Sequence, residues 1–157
     1  MNDTLMPEWM KRKQGKKEAD EARAEAARQR GMAMSNLVQL KCPDFWKSLT
    51  EKLAIAVEFL PKLDMQGELT PMNVGIRVSV SRPGIFANQT YTDLFPTLRE
   101  IKATTLDGDA YTLPFVAVSD SEIAVTTVAG DRSPMNAEKA AEYIMSRMIE
   151  LIESRSR

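Results

Sequence analysis

By type and spacing, the residues closest to a chemical site are the carboxylates Asp107, Asp109, Asp120, Glu122 and Asp131. They fall at the ends of successive segments of strand character. Two of them could converge there and hold Mg²⁺ or Ca²⁺ through oxygen ligands. A metal-activated water would then make the chain a carboxylate-dependent enzyme, the third of three readings below. The competing explanation is that Asp favours turns. Asp107-Gly108-Asp109 lacks the spaced ligands of a calcium loop, so the turn explanation is preferred.

Cys42 is the second candidate. It precedes Pro43 and Asp44 at what reads as a helix start, where the helix dipole would lower a thiol pKa. The chain has 0 His and 1 Cys, so no imidazole can act as its base. A structural, half-buried thiol is the better reading. The same counts exclude Ser–His and Cys–His nucleophile systems, zinc fingers and a disulfide within one chain. The 7 glycines stand singly and form no phosphate loop. No catalytic residue, metal site or cofactor is therefore assigned.

The third candidate is a surface. Residues 11–17 (KRKQGKK) bring five positive charges together with no acid among them. Such a run suits phosphates, an anionic membrane or an acidic protein. Leu5, Met6, Trp9 and Met10 precede it, and Met32 and Met34 lie beyond it. Met6, Trp9, Met10, Lys11, Arg12, Lys13, Lys16, Lys17, Met32 and Met34 form the candidate partner-binding set. Methionine suits adaptable contacts, and 5 of the 10 methionines fall in the first 34 residues. The net charge of −1 hides a split: residues 1–34 carry +2 and the remainder −3. Nucleic acid and anionic membrane are the weaker partner classes, because the average charge is near zero.

These residues need elements to hold them. Residues 11–30 contain no large apolar side chain and are rich in Ala, Glu, Lys and Arg, which favours a solvated helix ending near Gly31. Residues 1–34 thus read as a polar helical arm, and 35–157 as one compact domain. Phe45, Trp46, Leu49, Leu53, Val57 and Leu60 recur at helical spacing after Pro43, predicting a core-facing helix over 43–60. Met72, Val74, Ile76, Val78 and Val80 alternate with polar residues, predicting a half-buried strand. Strand character over 85–89, a loop over 93–96, and strands over 98–106, 111–118 and 122–129 follow. Ser133-Pro134 then opens a helix over 134–153. The expected fold is α+β: a two-layer sandwich of 4–5 meandering antiparallel strands with both helices on one face.

Three functions fit this frame. The first is a non-catalytic interaction or assembly module. It would form a homodimer, or bind another protein, through the arm. The second is a small-molecule or lipid-binding domain with an apolar pocket lined by Trp46, Phe59, Phe86, Tyr91, Phe95 and Phe115. The third is the enzyme above. With one cysteine, no signal-like leader and no apolar run of membrane-spanning length, a cytoplasmic location is expected.

Overall fold

The computed structural model describes residues 5–84, 88–128, 130 and 132–155. The chain divides into two units, Met1–Asn36 and Leu37–Arg157. The fold is α+β, with a long N-terminal helix, a six-stranded antiparallel sheet and a C-terminal helix.

Helix α1 spans Glu8–Phe59. Neither Gly31 nor Pro43 interrupts it, which corrects the separate helix expected over 43–60. Pro43 has no N–H for the Gln39 carbonyl one turn earlier, and an interior proline costs a helix about 3 kcal/mol. The Cys42 thiol donates to that carbonyl instead, at 3.7 Å. Downstream, Phe45, Leu49 and Leu53 recur every fourth residue and are buried. Each such side chain removed from water contributes about 1.5–3 kcal/mol, which offsets the break at Pro43.

The first helix of the second unit runs into a 3-10 turn, Leu60–Leu63. The sheet follows as β1 (Gln66–Pro71), β2 (Ile76–Arg82), β3 (Asn88–Pro96), β4 (Glu100–Thr105), β5 (Ala110–Ala117) and β6 (Ile123–Val125). Sequence neighbours pair throughout. Six strands replace the 4–5 expected, because β1 is an additional edge strand. Residues 93–96 belong to β3 rather than to a loop. Residues 72–75 form the β1–β2 turn, where Gly75 adopts φ 95° against the Leu94 carbonyl.

Register explains the faces. Val78 stands opposite Thr92, Val80 opposite Thr90, and Ile76 opposite Leu94. Ile101 stands opposite Leu113. All eight are buried and share one face. Phe45 of α1 meets Phe115 of β5 edge to face, with centroids 5.6 Å apart. Helix α2 (Ala137–Arg155) adds Ala140, Ala141, Ile144, Met145, Met148 and Ile152 to the same core. It starts later than Pro134, because Met135 bridges to Val125 and the Asn136 carboxamide caps the Lys139 N–H at 2.9 Å.

Candidate functional site

Every residue from Pro7 to Asn36 is exposed. Trp9 keeps 56% of its surface in solvent, Met32 54% and Met34 52%, so none of them joins a core. Met10 and the five cations Lys11, Arg12, Lys13, Lys16 and Lys17 are exposed as well, and Met6 is half-buried. The Lys13 ammonium lies 5.6 Å from the Trp9 ring. No carboxylate pairs with the five cations among the described residues. Further along, Glu25 takes a two-point bond from Arg28 (2.6 and 3.0 Å), which holds the Glu25 carboxyl below the usual range. All ten partner-binding candidates therefore lie within one unit, nine of them exposed.

The five aromatic candidates that are described lie apart along the chain's elements. Phe115 is buried against Phe45, and Trp46 is half-buried beside the core. Phe59 is 59% exposed. Tyr91 and Phe95 fall on the opposite sheet face from Thr92 and Leu94. There Arg77 stacks on Tyr91 at 3.9 Å and grips Asp93 through two bonds of 2.7 and 3.0 Å. Phe86 lies outside the described residues.

Asp107 pairs with Arg155 at 2.9 Å. Asp109, Asp120 and Glu122 are exposed at turns, and Asp131 lies outside the described residues. Among the described residues no three His, Cys, Asp or Glu side chains gather closely enough to hold a metal ion. Cys42 is buried, and burial pushes its thiol pKa up.

One arrangement was missed in the sequence. Arg147, on α2, separates two surface grooves. The first, about 380 Å³, runs past Thr90, Thr92, Asp107, Asp109 and Glu150. The second, about 500 Å³, is bordered by Tyr111, Thr112, Val128 and Tyr143. The Arg147 guanidinium lies 4.3 Å from the Tyr111 ring and donates to the Tyr143 hydroxyl at 3.1 Å. Those two rings meet edge to face at 5.9 Å. The Tyr111 hydroxyl is buried without a partner, and burial raises its pKa to about 12. In sequence, Tyr143 and Arg147 stand one helical turn apart, but nothing local couples them to Tyr111.

Among the described residues no helix is long and apolar enough to cross a membrane. No family model, curated protein or solved structure matches the chain.

Proposed function

We propose that the chain is a non-catalytic assembly module that pairs with a second copy of itself through the helical arm. One observation carries this reading: about eight helical turns, Pro7 to Asn36, hold no buried residue. A helix of that kind draws its stability only from propensity and i,i+4 pairs, which leaves it marginal in water. A partner supplies the missing burial. Trp9 and Met10 at one end, with Met32 and Met34 at the other, are its apolar anchors.

Charge favours a second copy as the partner. The basic run 11–17 is followed by Glu18, Asp20, Glu21 and Glu25, broken only by Arg23. One arm therefore offers both signs, and another copy meets each with its opposite.

Light scattering tests the reading. The full chain should weigh more than its 17.6 kDa monomer, and a chain lacking residues 1–34 should weigh as a single copy. An unchanged assembly state after the deletion contradicts self-assembly through the arm. The interface should also loosen as salt rises, because its charges remain partly solvated.

A further inference from the structure

The Arg147 groove lies in the second unit and takes no part in the arm. Three arginines there have resolved side-chain partners, and they are used differently. Arg77 is held by Asp93 and Arg155 by Asp107. Arg147 has no carboxylate partner among the described residues. Its plane is nevertheless fixed, by the Tyr111 ring beneath it and the Tyr143 hydroxyl beside it. A guanidinium that is oriented but carries no counter-charge is prepared for a planar, bidentate acceptor.

The sheet adds a second donor. Along β5 the odd-numbered amides face β4: the Phe115 N–H reaches the Arg99 carbonyl at 2.9 Å. Even-numbered groups therefore face the β6 side, where the Pro114 carbonyl accepts from Thr126 at 2.9 Å. Strand β6 covers only Phe115–Ala117. Among the described residues no backbone carbonyl beyond β6 accepts from the Thr112 N–H, and Thr112 borders the same groove as Arg147.

Charge then selects between the two grooves. Asp107, Asp109 and Glu150 line the first and repel an anion. Among the described residues the second is bordered by no acid. We propose that this second groove, between Arg147 and β5 at Thr112, binds a small ligand through an oxyanion, carboxylate or phosphate. Val128 and Ala110 give the ligand's carbon skeleton a small apolar wall.

The test is an amide and arginine-side-chain NMR titration of the full chain. Sodium phosphate and sodium benzoate are the separate probes, and sodium chloride at equal ionic strength is the control. Saturable shifts at the Thr112 amide and the Arg147 Nε are expected with phosphate, benzoate or both. The responding arm identifies the oxyanion. Arg147→Gln should weaken binding about tenfold or more, whereas Arg155→Gln should leave it unchanged. Val128→Glu places a carboxylate in the groove from an exposed position, and should abolish binding without touching the core. Shifts that match those of chloride, or that survive Val128→Glu, overturn the proposal.

Discussion

Helix α2 and the arm share a polar, helix-forming background and come to opposite ends. Ala, Glu, Lys and Arg dominate both. In α2 the apolar members recur at three and four residues, and Ala140, Ala141, Ile144, Met145, Met148 and Ile152 are buried. Residues 11–30 offer only alanine as an apolar side chain, and nothing from Pro7 to Asn36 is buried. Helix-forming composition accounts for helix in both regions. What α2 has and residues 11–30 lack is large apolar side chains at helical spacing, and these contribute to a core.

The contrast can be broken most forcefully in the second unit. Leu53 is fully buried, so Leu53→Ala should destabilise that unit by about 2–5 kcal/mol in urea unfolding. Ala26→Gly in the arm should leave the same transition in place. A common shift from both substitutions would show that the arm shares the core's stability.

Alkaline pH gives the next effect. The Tyr111 phenol, held at about 12 by burial, ionises near 10 once unfolded. Its folded pKa is the higher one, so its contribution is complete below pH 10 and is lost as pH rises toward 12. The loss should reach about 2–3 kcal/mol, and Tyr111→Phe should remove this part of the pH dependence. An unaltered alkaline profile in Tyr111→Phe contradicts the assignment.

Pro43→Ala should act in the stabilising direction. It restores an N–H to the Gln39 carbonyl at an exposed position, for a gain of about 1–2 kcal/mol in thermal unfolding. A loss of stability would mean that the helix geometry around Cys42 depends on the proline.

The strongest periodic segments were legible in the sequence. The alternation holds from Ile76 to Val80, though Met72 and Val74 lie exposed in the turn before it, and the Leu49–Leu53 stripe and most of the Ala140–Ile152 face are buried, with Met145 added to the latter. Strand β1 was not legible, because Gln66-Gly67-Glu68-Leu69-Thr70-Pro71 has one large apolar residue and two poor strand formers. Its glycine has a tertiary reason: a Cβ at Gly67 would strike the Leu60 side chain and come within 2.7 Å of the Ser79 carbonyl. The uninterrupted α1 was hidden for a related reason. Gly31 reads locally as a stop and Pro43 as a fresh start, and the burial of Phe45, Leu49 and Leu53 outweighs the break at Pro43. The exposure of the arm was readable because it followed directly from the absence of an apolar stripe. The Arg147 groove was not readable, since it depends on Tyr111 arriving from a strand about 30 residues upstream of the helix.

The central claim is that the arm lacks burial within its own chain and gains it from a second copy. Hydrogen exchange of residues 11–30, followed by mass spectrometry over a range of protein concentrations, tests it most directly. Residues 140–152 of α2 serve as the internal reference. The arm amides should exchange rapidly in dilute solution and become protected as concentration rises, while α2 stays protected throughout. Arm protection that matches α2 in dilute solution, or that does not change with concentration, would contradict the account.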